Sequence, residues 1–205
     1  SRADWERAAK QVESAAPGEL SETDQLALLL AERERPEFKE PPLLPLRLSA
    51  SAIVKLLSDP VGFAIELARP TPSPYSASAE SGSLFHATLE RAFLAGAELD
   101  VSSWEVDQKE LGENFLGSRF AGLAPVAIER PVEFELGGTV VVCKLDAVFE
   151  QGGMFEVVDW KSGSTPSQEQ LKARAIQLAL YRVGFARAEG IPVERIKASF
   201  FFAKD

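Results

Sequence analysis

The chain has 205 residues, 45% hydrophobic and 26% charged, which is the make-up of a globular protein with enough length for one full core or a core with a helical appendage. Its net charge of −9 and pI near 4.8 argue against a free-standing nucleic-acid binder, and its single cysteine, Cys143, excludes an intramolecular disulfide or an all-cysteine metal cage. No apolar run approaches the ~20 residues that cross a bilayer and no signal-peptide pattern opens the chain, so a cytoplasmic protein with no membrane partner is expected.

The chain opens on Ser1-Arg2-Ala3-Asp4 without a methionine and stops just after an apolar run, which predicts a domain excised from something longer. Residues 3–16 carry Trp5, Ala8, Ala9 and Val12 at helical spacing before Pro17-Gly18. A second helix is predicted from Thr23 to Arg35, with Leu26, Leu29 and Leu30 on its apolar face, and Pro36 to Pro45 forms an extended connector. Leu48-Ser49-Ala50-Ser51 supplies caps for a helix to Ser58, Asp59-Pro60 interrupts it, and a short helix follows through Ala68. Arg69 to Ser81 is expected as a loop, and the next helix is expected from Ser83.

A helix is predicted around Asp107 to Arg119, after which the texture changes to strand. Val126 to Leu136, a Gly137-Gly138 turn, Thr139 to Phe149, a Gln151-Gly152-Gly153 turn and Met154 to Lys161 make an antiparallel meander. Thr165-Pro166-Ser167-Gln168 is expected to open a helix, with Thr165 as N-cap and Gln168 completing a capping box. That helix runs to Glu189, Gly190 ends it, and its apolar stripe is Ile176, Leu180 and Val183. Arg195 to Ala203 is a buried strand, expected parallel to the one before the helix.

Chemistry concentrates in Val157-Val158-Asp159-Trp160-Lys161-Ser162-Gly163. Residues two apart on a strand share a face, so Asp159 and Lys161 point one way and Trp160 the other. A carboxylate beside an ammonium can serve a divalent cation and a polarised water together, the needs of phosphodiester hydrolysis. Asp146 interrupts an apolar strand face, where a lone charge is costly, and a second acid beside it calls for a cation between them. His86, the single histidine, shares a helix face with Glu90, and Gln177 shares one with Tyr181. Each feature has a plain alternative: a surface ion pair, a satisfied core histidine, an ordinary helix surface.

The order of helix, three strands, helix and strand, carrying His86, Asp146, Asp159-Trp160-Lys161 and Gln177-Leu178-Ala179-Leu180-Tyr181, resembles the RecB-type nuclease domain of the PD-(D/E)XK superfamily. The resemblance covers residues 48–205 and includes Gly82-Ser83-Leu84-Phe85-His86; residues 1–47 are then a helical lead-in and linker. It implies an α/β fold, a restriction-endonuclease-like αβββαβ core in which helices flank a mixed sheet. It looks most like the C-terminal module of an actinobacterial-type UvrD/RecB-like helicase-nuclease of the AdnAB and RecBCD class. What it implies further is an exonuclease on single-stranded DNA fed by an ATP-dependent helicase motor of the same polypeptide, with a second helicase-nuclease subunit as a possible partner, acting in double-strand-break repair or recombination.

By the same resemblance His86, Asp146, Asp159 and the Trp160 carbonyl ligate Mg²⁺ or Mn²⁺, and Lys161 orients the attacking water and stabilises phosphate charge. Gln177 and Tyr181 position the strand or the surroundings of Lys161, and Glu90 and Glu129 support the ligands from behind. Two positions depart from the pattern: Cys143 stands where the family often has glycine, and Asp59 stands where iron–sulfur members carry cysteine, so no cluster is expected. The alternative is a nuclease-fold module without turnover that guides DNA or docks a protein.

Overall fold

The computed structural model describes residues 43–70, 77–102 and 104–205, all within the unit Pro42–Asp205. The helices expected over residues 3–16 and 23–35, and most of the proline connector, lie outside the described residues. In chain order the elements are β1 (Arg47–Ser49), α1 (Ala50–Ser58), α2 (Pro60–Ala68), α3 (Ala77–Ala95), α4 (Val106–Leu116), β2 (Ala127–Leu136), β3 (Thr139–Gln151), β4 (Met154–Lys161), α5 (Gln168–Glu189), a 3₁₀ turn (Val193–Arg195) and β5 (Ile196–Phe202). This is the expected α/β architecture, a five-stranded mixed sheet flanked by helices.

The meander forms as its glycine pairs demand, with positive φ at Gly137 (59°), Gly138 (81°), Gly152 (59°) and Gly153 (79°) turning the two hairpins. Strand β5 lies parallel to β4 after the α5 crossover, as expected. The short β1 was not foreseen: three residues are too few for a period to show, and it is the pairing of Arg47, Leu48 and Ser49 with Val140, Val141 and Val142 that makes them a strand. Ser49 then caps α1 by accepting from the Ala52 N–H, as the sequence suggested.

Three other boundaries differ from expectation. Helix α3 begins at Ala77, not Ser83. Gly82, which falls between the expected loop and the expected helix, sits inside the helix; a Cβ there would come within 2.8 Å of Ser162 Oγ, so glycine permits close approach to the loop after β4. Helix α4 spans Val106–Leu116 and stops at its Gly117 cap, short of Arg119. The cap of α5 is Ser167, which closes a capping box with Gln170; Thr165 is engaged elsewhere, its N–H and hydroxyl both donating to Asp205 Oδ2.

Two cores sandwich the sheet. Beneath α5 and α1 the core is mainly aliphatic, with Val141, Cys143, Leu145, Val148, Val157, Leu180, Phe185 and Ile196. Burial pushes the Cys143 thiol up to about 12, which makes it an inert core group. Beneath α3 and α4 the core is aromatic: Trp160 meets Phe120, Phe115 and Phe201 edge-on at 5.4, 5.6 and 5.7 Å. Phe85 and Leu89, 0% and 1% exposed, pin α3 to this core and thereby fix where His86 points.

Pairing along β3 sets up the site. One edge of β3 carries β2. The other edge is shared, with β1 on Val140, Val141 and Val142 and β4 from Ala147 onward, so residues 143–146 have no strand partner on that side. The sheet thus carries a notch, and Asp146 stands at its end.

Candidate metal centre and active site

Strand alternation slips at Asp146. Val141, Cys143 and Leu145 pack into the aliphatic core, yet Ala147 and Phe149, which share their parity, pack into the aromatic one. The cross-strand position opposite, Glu129, drops out of the β2–β3 register between Ile128↔Ala147 and Arg130↔Leu145. Among the described residues Glu129 is the non-glycine residue with a positive φ, 49°. A left-handed backbone at a residue other than glycine costs of order 1–3 kcal/mol and persists only where the surroundings enforce it. Here the kink turns both carboxylates out of the regular ladder and into one cavity.

That cavity, of about 500 Å³, is lined by His86 and Glu90 from α3, Glu129 from β2, and Lys144 and Asp146 from β3. His86, Glu129 and Asp146 each offer a ligand atom, and these atoms lie within 4.8 Å of one another. His86 Nδ1 is 3.6 Å from Asp146 Oδ2, and His86 Nε2 is 2.9 Å from the Trp160 carbonyl oxygen. The same Asp146 oxygen, Oδ2, also accepts from the Trp160 N–H at 2.8 Å where the β3–β4 ladder has ended. Burial pulls the His86 pKa down, but the Asp146 carboxylate, Asp159 and the Trp160 carbonyl outweigh it and leave it raised above 6.5.

Asp159 stands on the α5 side, outside that triad. It is 3% exposed; its Oδ1 accepts from the Tyr181 hydroxyl at 3.1 Å and the Gln177 amide at 3.4 Å, and its Oδ2 meets the Lys161 ammonium. The Gln177 amide also donates to the Tyr181 hydroxyl at 2.5 Å, so the two α5 residues brace each other. Burial raises the Asp159 pKa, Lys161 pulls it back, and Asp146 raises it again, for a net rise. Burial together with Asp159 also raises Tyr181, which therefore stays a neutral donor. Lys161 lies 5.7 Å from the centre of the Phe200 ring, its parallel neighbour on β5 being Phe202.

The structure thus brings His86 and Asp146 together at the Trp160 backbone, and Asp159, Lys161, Gln177 and Tyr181 together in a second set, the two meeting where Asp159 and Trp160 adjoin in the chain. It also raises Glu129 from a supporting residue to a member of the tightest acidic set, a place sequence spacing could not give because it depends on one left-handed backbone angle. Glu90 lines the cavity but is not part of the triad.

The donor set suits a hard divalent cation. Two carboxylates, an imidazole and a backbone carbonyl are oxygen-rich with one nitrogen, as Mg²⁺ or Mn²⁺ accept. Buried Glu129 Oε2 and Asp159 Oδ2 each lie against an ammonium group, those of Lys144 and Lys161.

No curated protein matches the chain. Among solved structures, one described as "Crystal structure of SSO0001" is similar with a TM-score of 0.36 and 16% identity, over 79% of this chain and 68% of that one. The family model of the PD-(D/E)XK nuclease superfamily matches residues 47–205. Because that match starts at β1, runs past β5 and takes in every residue of the site, the chain belongs to the PD-(D/E)XK nuclease superfamily.

Proposed function

We propose that this chain is the RecB-type nuclease module of an ATP-dependent DNA helicase-nuclease, an exonuclease cutting single strands delivered by its motor during double-strand-break repair or recombination. Membership of a nuclease superfamily makes DNA the substrate class, and the acidic triad fits a divalent metal. The observation that carries the reading is the parting of β3 and β4 beyond the Ala147↔Val158 pair, with His86, Glu129 and Asp146 gathered on one flank and the Asp159–Lys161 pair on the other.

His86, Glu129 and Asp146 would hold Mg²⁺ or Mn²⁺, with Asp159 and the Trp160 carbonyl adjoining. When bound, the ion supplies Lewis acidity toward a phosphoryl oxygen and lowers the pKa of a bound water. Hydrolysis joins a water oxygen to phosphorus and breaks one P–O bond to a sugar oxygen; the water gives up a proton and the departing oxygen gains one. Lys161 hydrogen-bonds the attacking water and lays positive charge against the phosphoryl oxygens as their charge grows. Asp159 fixes the Lys161 ammonium, and Tyr181 with Gln177 fixes Asp159, so no reorganisation is needed at the moment of reaction. The acidic surface requires that the polyanion be brought to the site, which a motor domain would do.

The purified chain on end-labelled single- and double-stranded DNA tests this. Mg²⁺- or Mn²⁺-dependent release of nucleotides from strand ends is expected, faster on single strands, and lost in Lys161→Ala with the melting temperature nearly unchanged. Metal-dependent cleavage at internal positions alone, or cleavage undiminished in Lys161→Ala, would overturn it.

A further inference from the structure

Among the described residues Lys144 is the one Lys or Arg that lines the cavity of His86, Glu90, Glu129 and Asp146. Its side chain is 67% exposed, whereas the Glu129 carboxylate it contacts is 13% exposed. That carboxylate, carried on the strained backbone at Glu129, faces His86 and Asp146 as well, and its buried Oε2 is the atom that lies against Lys144. One buried acid therefore serves two cations in turn: the lysine now in contact with it, and whatever ion the triad accepts. The same carboxylate gains little from a lysine once a divalent ion lies beside it, and two positive charges at such range repel.

We propose that Lys144 is a phosphate-positioning residue held in reserve by Glu129. When the triad takes its divalent cation, Glu129 turns its charge to the ion, and the flexible Lys144 ammonium is released at the cavity mouth to engage a phosphate of the DNA strand. The inference rests on the nuclease reading and adds a partner exchange to it. It gives an acidic cavity a positive contact for a polyanion only after the metal has arrived, which orders binding as metal first, strand second. Lys161 does not take this part, because the buried Asp159 holds its ammonium on the α5 side.

The test uses the full chain, titrated with Mn²⁺ by calorimetry and with a fluorescent single-stranded oligonucleotide in Ca²⁺. Lys144→Ala is expected to bind Mn²⁺ about tenfold more tightly, because a competing charge is gone, and to bind the oligonucleotide about tenfold more weakly, with a salt dependence reduced by about one phosphate contact. Lys144→Arg should restore both. Adding Glu129→Gln to Lys144→Ala should abolish the gain in Mn²⁺ affinity. A merely structural ion pair would loosen Glu129 when broken, so weaker or unchanged Mn²⁺ binding in Lys144→Ala overturns the proposal, as does unchanged oligonucleotide binding. If the unaltered chain binds neither Mn²⁺ nor the strand, the nuclease reading itself falls.

Discussion

Asp146 and Asp159 stand at the same parting of β3 and β4, yet their surroundings differ in kind. Asp146 opens on a cavity shared with His86, Glu129 and Lys144, groups that can exchange partners. Asp159 is enclosed by Tyr181, Gln177 and Lys161, each in direct contact with it. On the proposed reading the first flank receives an ion and a strand, and the second keeps one ammonium in one place. Capture needs groups free to move, whereas electrostatic stabilisation of a reacting phosphate needs groups that do not. The sheet supplies both by splitting: the α3 flank carries the kinked, strained segment, and the α5 flank carries regular strand and helix.

The largest expected effect breaks the buried flank. Asp159→Asn keeps the shape and the Tyr181 contact but removes the charge that holds Lys161, so cleavage should fall by about a thousandfold or more while folding survives, measured as single-turnover rates beside thermal melting. A smaller effect separates the flanks: Glu129→Gln should weaken Mn²⁺ binding by ~10–100-fold by calorimetry, and leave the Tyr181–Asp159–Lys161 arrangement intact.

Proton competition sharpens the comparison next. The raised His86 pKa lies above 6.5, and an imidazolium cannot ligate a metal, so Mn²⁺ affinity should drop as pH falls through that raised value, approaching about tenfold per pH unit below it. For the metal-free protein the sign is opposite. A histidine with a raised folded pKa stabilises fully below its unfolded value and loses that contribution as pH climbs through the folded one, so stability from this group declines above pH 6.5. Calorimetric titrations and melting curves over a pH series, with His86→Gln as the flat control, read both trends. The smallest effect is that of Tyr181→Phe, which removes one of the donors on Asp159 Oδ1 but leaves Gln177; cleavage should slow only several-fold, with a stability loss of about 1 kcal/mol.

What the sequence disclosed divides along the same line. The α5 flank was legible because it rests on regular periods: Asp159 and Lys161 two apart on a strand, Gln177 and Tyr181 four apart on a helix, and glycine pairs at both hairpins. The cavity flank was legible only in part. His86 and Asp146 stood out as a lone histidine and a charge in an apolar strand, but Glu129 was placed only behind the ligands, and by resemblance alone. Its role comes from a positive φ and a missing ladder pair, neither of which has a residue signature when the residue is not glycine. Lys144 was missed for the same reason. Gly82 misled because a glycine that lets α3 approach Ser162 and a glycine that ends a loop are the same letter. Likewise Thr165 offered a good cap, and only its bond to distant Asp205 hands that part to Ser167.

The central claim is that a divalent ion belongs at the notch where β3 leaves β4. Calorimetric titration of the full chain with Mn²⁺, beside the same titration of Asp146→Asn, tests it most directly. Saturable binding in the unaltered chain that vanishes in Asp146→Asn, with both proteins folded by circular dichroism, is the expected result. Absence of saturable binding, or binding indifferent to Asp146→Asn, would contradict it.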